Sequence, residues 1–475
     1  MAKNSEQQLR QEYDCVINRI ELTDCQNRTF DIKSQFVELM YSESIADVSP
    51  WGNIFMVDTV DFPTLLPMIG EETLGVSFTR QEVASKENNF LGGQKPPIEF
   101  EMPIFRMYGK IQEGQSRKRQ TYTLDYCTRL PFLNINAKVF TTFKGMKYSD
   151  MVKSIYENHL KEEGKYYKPL IVEETEGAAD YHLNNIKPIA AIRRIASKSV
   201  SAEGNGTGYI FYEGRDAYYF VTLGKLVQKN PIAKLTCELK HVTKPNQDGR
   251  FGPKDKDIAK DLYNVDNYTR NETFDVLGSA TNGEAVSSLL SIDPITRRFY
   301  YNEFDLRKED NRGQLHWEQR KRLGDKKPWR DTNKMFINPR SNLMLMVTDQ
   351  EWSQDEYISA KSDEMSIHTP EEIVMSKRSL GRQFDRNTIS LVLSGDPTLS
   401  PGNVVEFAMP EILGTTKASQ PEELDKWLQG KYLILAASHN IQNDTYRTHL
   451  TLIRDGFFTE IFHRDPVEYS QMKGV

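Results

Sequence analysis

The sequence predicts an α+β, β-rich chain, with sheet at both ends around a mixed middle and with discontinuous domains. Three observations lead there. Apolar residues recur at every second position near both ends, as in Leu74, Val76 and Phe78 or Ile389, Leu391 and Leu393, which is the period of a half-buried strand. Between them lie two segments with helical spacing. Aromatic runs on either side of Gly-Arg-Asp mark a hairpin inside the middle region.

Residues 13–130 read mainly as strands of an antiparallel barrel or sandwich, with Phe30, Ile32 and Phe36 again at even spacing. The polar stretch Arg80 to Pro97, holding Gly92-Gly93 and Pro96-Pro97, has the chemistry of a long exposed loop. Ser149 is placed to cap a helix whose Val152, Ile155, Tyr156, His159 and Leu160 share a face. A second helix starts at Pro188, suited to a first helical position, and turns Ile189, Ile192, Ile195 and Ala196 to a core.

The run from Gly208 to Val221 predicts a β-hairpin, assigned to the C-terminal sheet despite its distance in sequence. Lys240 to Asn271 is polar and reads as a long loop, followed by β structure at Leu289–Leu306. Arg307–Asp331 carries nine Lys or Arg and five Asp or Glu around Trp317 and Trp329. Cations interleaved with aromatics can stack on nucleic acid, but the acidic residues favour a solvated loop or a protein interface. Thr369-Pro-Glu-Glu372 is a capping box opening a helix with Ile373, Leu380 and Phe384 on one face. A strand at Ile389–Leu393 then turns through Gly395–Gly402, Val404–Phe407 pairs back on it, and Tyr432–Ala437 with Tyr446–Ile453 closes the sheet.

Bulk properties narrow the function. At 475 residues the chain suits two to four compact units. Its 38% hydrophobic and 27% charged residues fit a packed soluble protein, and a net charge of −6 argues against a dedicated nucleic-acid binder. Cys15, Cys25, Cys127 and Cys237 form no zinc pattern and are expected to be buried free thiols in a chain folded in a reducing cytoplasm. Neither a signal peptide nor an apolar run of membrane-spanning length is read.

No catalytic, cofactor or metal residues are assigned. Gly249–Lys254 lacks the phosphate-loop spacing, and the G-x-S-x-G and H-E-x-x-H patterns are missing from the sequence. His439 and His449, on the arms of the last hairpin, could face each other but make a weak ligand pair. Glu173-Glu174 and Glu371-Glu372 are adjacent carboxylates, which glycosidase geometry does not follow from, and the second pair suits a helix N-terminus.

Several segments together resemble the baseplate central hub subunit of T-even-type contractile-tailed phages: Gly145–Tyr156, Gly208–Phe220, Ile292–Tyr300, Gly395–Val405, Gly430–Leu435 and Tyr446–Leu452. The resemblance covers about residues 13–462. It implies two tube-type antiparallel β-barrel domains plus a mixed α/β insert. The expected division is 1–130 for the first barrel, 131–205 for an α+β insert, and 206–240 for a hairpin of the second barrel. Residues 241–365 then form a mixed insert with long loops, and 366–475 a helix and the rest of the second barrel.

The resemblance further implies a homotrimeric ring whose six barrels present a pseudo-six-fold face to the tail tube and a three-fold face to a central spike. Its expected partners are that spike protein, in some relatives with lysozyme activity, tube or tube-initiator proteins, the tape measure protein and baseplate wedge proteins, with DNA only in transit. No cofactor and no membrane insertion are implied, and the site of action is the virion tail. A trimer would carry a formal charge of −18, three times −6, and an acidic lumen would repel passing phosphates. Two further readings are a tail-associated cell-wall hydrolase and the equivalent hub of a tailocin or other contractile injection system. The loops at 80–97, 240–271 and 307–331 leave room for contacts of their own.

Overall fold

The computed structural model describes residues 15–66, 68–80, 95–112, 119–237, 263–270, 286–293, 297–305, 343–347, 370–409, 428–442 and 445–456. Most of the expected loops at 80–97 and 240–271, the whole of 307–331 and the capping residue Thr369 lie outside them.

The first unit is built from alternation. Strands β1 (Cys15–Thr23), β2 (Thr29–Asp31), β3 (Phe36–Ser44) and β4 (Trp51–Asp58) precede a one-turn helix α1 (Phe62–Leu65). Then come β5 (Thr73–Arg80), β6 (Ile98–Gln112) and β7 (Gln120–Cys127). Hydrogen-bonded neighbours run β3-β4-β7-β6-β5-β1-β2. β2 leads into β3 through a turn in which Gln35 N donates to Ile32 O at 2.9 Å, so the chain itself, without a described ladder between β2 and β3, joins the two ends of this round about one core. Ile20, Ile32, Leu39, Ile54, Leu74, Val76 and Phe78 fill it, fully buried. Each such side chain contributes roughly 1.5–3 kcal/mol of transfer free energy.

A mixed insert follows: α2 (Leu130–Asn136), β8 (Val139–Met146), α3 (Tyr148–His159), β9 (Leu170–Val172), β10 (Ala179–Ile186) and α4 (Pro188–Ala196), then β11 (Tyr209–Glu213), β12 (Tyr218–Thr222) and α5 (Leu223–Val227). The apolar faces read from spacing do pack inward, with Val152, Ile155, Ile192 and Ile195 at most 1% exposed. Ser149 is not the cap, however. The helix starts two residues earlier, at Tyr148, Lys147 occupies the cap position without a side-chain bond, and Ser149 is buried, its backbone N held by Thr175 Oγ1 at 2.9 Å.

The hairpin at 208–221 also needs correction. It does not join the C-terminal sheet: β12 pairs in parallel with β9, so that β11, β12 and β9 form a separate three-stranded sheet. The cause is its apolar face, since Tyr209, Phe211, Tyr218 and Phe220 bury in the insert core with α3 and α4.

The second barrel takes β13 (Pro231–Thr236) and β14 (Val265–Arg270). A small sheet of β15 (Val286–Asp293), β16 (Arg298–Asp305) and β17 (Leu343–Val347) intervenes, with α6 (Pro370–Arg386) packed on it through Met375. Then come β18 (Thr388–Ser394), β19 (Val404–Ala408), β20 (Gly430–Gln442) and β21 (Thr445–Ile453). Val404–Phe407 does not pair back on β18: β19 lies between β13 and β20, while β18 lies between β14 and β21. A bridge between Thr236 and Asn264 closes this round, and Leu235, Leu391, Leu393, Val405, Phe407, Tyr432 and Ile434 fill it.

The two barrels repeat one plan. Around the first the order is β1-β5-β6-β7-β4-β3, and around the second β13-β19-β20-β21-β18-β14. Strands that correspond in space also correspond in sequence order. The departure is β13, which runs parallel to β19, whereas β1 runs antiparallel to β5. The short turn after β1 forces a hairpin reversal, but the long connection from 237 to 263 allows a crossover. The barrels are fused where β3 pairs antiparallel with β20, from Glu38↔Gln442 to Ser44↔Ala436.

Close backbone approach at this junction requires glycine at 395, where a Cβ would fall inside the ring of Tyr446, itself fully buried. Gly395→Ala is expected to lower stability by about 1–3 kcal/mol, as overpacking does, read as a drop in the urea midpoint. Adding Tyr446→Ala makes room, so the double variant loses clearly less than the sum of the two single losses.

Candidate functional site

Chemically distinctive side chains collect where β3 meets β20. Glu43, at the end of β3, is 3% exposed and accepts from Arg215 Nε at 2.5 Å. Arg215 sits on the turn between β11 and β12, so the insert reaches into the seam between the barrels. Its guanidinium also donates to Pro397 O and, at 2.9 Å, contacts His439 Nε2 on β20. An arginine only donates, so Nε2 accepts and the proton of the neutral ring stands on Nδ1. That nitrogen faces Tyr446 Oη at 2.7 Å and Thr448 Oγ1 at 3.3 Å.

A second group lies beside it. Asp396, fully buried in the connection from β18 to β19, pairs with Lys95 and, at 3.5 Å, with Arg80, both from the first barrel. Its Oδ1 accepts from Thr398 Oγ1 at 2.7 Å. Lys95 also donates to Tyr263 Oη at 3.1 Å, ahead of β14. Both groups therefore tie residues far apart in sequence across one junction. An apolar cluster of Ile45, Tyr212, Val221, Phe384, Leu433 and Ile453 fills the space where barrels, hairpin and α6 meet.

Electrostatics here follow burial. Desolvation pushes the Glu43 carboxyl above its ordinary value against the pull of Arg215. Burial and then the Arg215 charge hold His439 well below 6.5, so it stays neutral. Burial alone would raise Asp396, but Lys95 and Arg80 bring it below 3.8. Each charge is matched by a partner, which marks a locked structural network. Beside it a cleft of ≈ 340 Å³ opens between Tyr212, Lys229, Pro397 and Asn403.

The residues weighed from sequence fall elsewhere or separate. His439 and His449 do not face each other: His439 pairs in register with Thr448 and points inward, whereas His449 pairs with Ser438 and points outward. Adjacent register positions lie on opposite faces of a sheet. Glu173 is wholly buried in the insert and accepts from Ser201, Asn205 and the Thr222 backbone and hydroxyl. Glu174 instead lies at the surface near Lys147, so the pair shares no cleft. The four cysteines carry free thiols, but Cys25 is exposed, on the turn after β1, and only Cys127 is fully buried. Among the described residues no three His, Cys, Asp or Glu side chains converge on a metal position, and no helix is long and apolar enough to cross a membrane. Sequence reasoning passed over Arg215 and Asp396, although Gly-Arg-Asp and Gly-Asp-Pro set a charge beside turn residues in otherwise apolar surroundings.

Removing Arg215 leaves a buried carboxylate alone, so Arg215→Ala is expected to cost about 3–5 kcal/mol, measured as loss of unfolding free energy. The network also sets a pH dependence. Unfolded His439 takes up a proton near 6.5 while the folded ring refuses it, so stability falls as pH drops below that value. The folded state holds Asp396 ionised below 3.8, so that contribution persists through this range and is lost only in stronger acid. Urea midpoints between pH 7.5 and 5 check this, with His439→Gln flattening the slope.

No protein-family model and no curated protein matches the sequence. Among solved structures, the chain is similar to a tail protein from Neisseria meningitidis MC58, at 9% identity and TM-score 0.48 over 93% of this chain and 97% of that one. It is also similar to the 43 kDa tail protein of prophage MuSo2 from Shewanella oneidensis, at 8% identity and TM-score 0.49 over 92% and 99%. A type VI secretion system component of E. coli is similar at 9% identity and TM-score 0.40 over 95% and 80%, and carries its own stated similarity to T4 bacteriophage tail proteins.

Proposed function

We propose that this chain is a structural hub of a contractile-tail baseplate, acting through shape and carrying no catalytic centre. The observation that carries the reading is the duplication: two six-stranded barrels of one plan, fused edge to edge. A chain with two like barrels converts three copies into six similar units, and closed assemblies must match rotation at every interface. Such a ring presents six near-equivalent units toward a six-fold tail tube and three identical subunits toward a three-fold spike. Its axis gives DNA a passage.

The sequence resemblance to T-even-type hubs supports the same reading, and with it the partners: a central spike protein, tube or tube-initiator proteins, the tape measure protein and wedge proteins. The network at the β3–β20 seam fits a load-bearing part, because its charges satisfy one another.

Light scattering on the purified chain is expected to give three times 54.9 kDa, and micrographs a ring with a central hole. A monomer at all concentrations overturns the ring. A lytic band on a peptidoglycan zymogram overturns the non-enzymatic reading.

A further inference from the structure

The fusion of the barrels inside one chain leaves its mirror requirements on the outside. β20 carries a bulge between Ile434 and Ala436. Before the bulge the strand is flanked by β19 and β21, and after it by β21 and β3. Its counterpart β6 carries a bulge at the same place, between Ile104 and Arg106, and a second, which β20 lacks, between Tyr108 and Ile111. Before the first bulge it is flanked by β5, and after it β7 lies on one side while no described strand lies on the other. Residues 105–112 are all exposed, and they include Phe105 at 48%, Tyr108 at 45% and Ile111 at 65%. Exposed apolar side chains along an open strand edge are an invitation to pairing that soluble proteins ordinarily suppress.

The complementary edge is present as well. β3 receives β20 on its outer side, pairs with β4 on its inner side, and has a bulge between Phe36 and Glu38. Its counterpart β14 pairs with β18 on its inner side, has a bulge between Val265 and Asn267, and past the bridge from Asn264 to Thr236 has no described strand on its other side. β6 points along the barrel in the same sense as β20, and β14 in the same sense as β3, because the alternating directions of the intervening strands are the same. In one chain β14 and β6 lie at separate places in the sheet, with β18, β21, β20, β3, β4 and β7 between them. One copy cannot join its own two edges.

We infer that the outer edge of β6, residues 106–112, pairs antiparallel with β14 of a second copy of this chain, repeating between subunits the seam that β20 and β3 form within one. This rests on the ring reading above and deepens it by naming the surface. Matching the first bulges, and allowing for the extra residue between Tyr108 and Ile111, transfers the register: Leu39↔Ile441 and Met40↔Asn440 inside the chain become Tyr268 opposite Gln112 and Thr269 opposite Ile111 between copies. The contact is head-to-tail, so it propagates until rotation closes it. The bulge residue Phe105 then stands where Leu435 stands in the internal seam. Leu435 is partly covered by the cluster around Ile45 and its carbonyl accepts from Ile45 N at 2.9 Å. Phe105 instead borders an apolar cleft of ≈ 560 Å³ with Trp51, Phe132 and Ile135, a surface that a neighbouring copy would cover.

Cysteine pairs test the register in the full chain, with the exposed Cys25 replaced by Ser. Gln112→Cys with Tyr268→Cys, and separately Ile111→Cys with Thr269→Cys, are oxidised and run without reductant. One of the two pairs has the side-chain separation a disulfide needs. The expected result is a ladder at two and three chain masses that collapses on reduction, while each single variant yields no trimer band. Glu38→Cys with Gln442→Cys serves as the internal control and should bond without raising the mass. If light scattering reports three chains but neither pair gives the ladder, this seam is wrong and the ring survives. If the protein is monomeric throughout and no ladder forms, the ring reading fails and the seam with it.

Discussion

Strand β3 is held on both sides by strands from different ends of the chain, and that double pairing governs the rest of the structure. On one side lies β4, its neighbour in sequence, and on the other β20. Backbone groups of β3 that would form a sheet edge are thereby satisfied, and the cores of the two barrels come into contact. Ile441 and Tyr446 of the second barrel pack in the core of the first. The insert then docks on the joint, through Arg215 to Glu43 and through Glu213 N to Val48 O at 2.8 Å.

The buried charges gain their meaning from this placement. An isolated Glu43 or Asp396 would be costly so far from water, and an apolar pair of the same volume could be at least as stable. What the ionic groups add is directionality: Arg215 is satisfied only when β3, β20 and the β18–β19 connection are all in place. His439, kept neutral by that same cation, can then accept from it. The junction accordingly has one arrangement in which its charges are matched.

Much of the local structure was legible in the sequence, because periodicity is local. Leu74, Val76 and Phe78 alternate and are buried, Pro188 opens a helix, and the residues after the capping box at 369–372 form another. What could not be read is pairing over distance. Ser42 and Ser438 share a hydrogen bond of 2.8 Å across the seam, yet no spacing rule links residues so far apart. For the same reason the spacing within the 208–221 hairpin does not tell which sheet it joins, since its aromatic strands announce a partner without saying which. The histidine pair failed on register, because a one-residue offset turns side chains to opposite faces. Arg215 escaped notice because a charged residue at a turn is ordinarily solvated.

The bulge in β20 lets one strand belong to both barrels in succession, and this has a mechanical corollary. Hydrogen bonds in an antiparallel pair lie across the strands, so a pull along the strand direction loads every rung from Glu38↔Gln442 to Ser44↔Ala436 at once. A sideways pull would open them one by one. Tension directed along these strands therefore meets the joint in shear, its most resistant geometry.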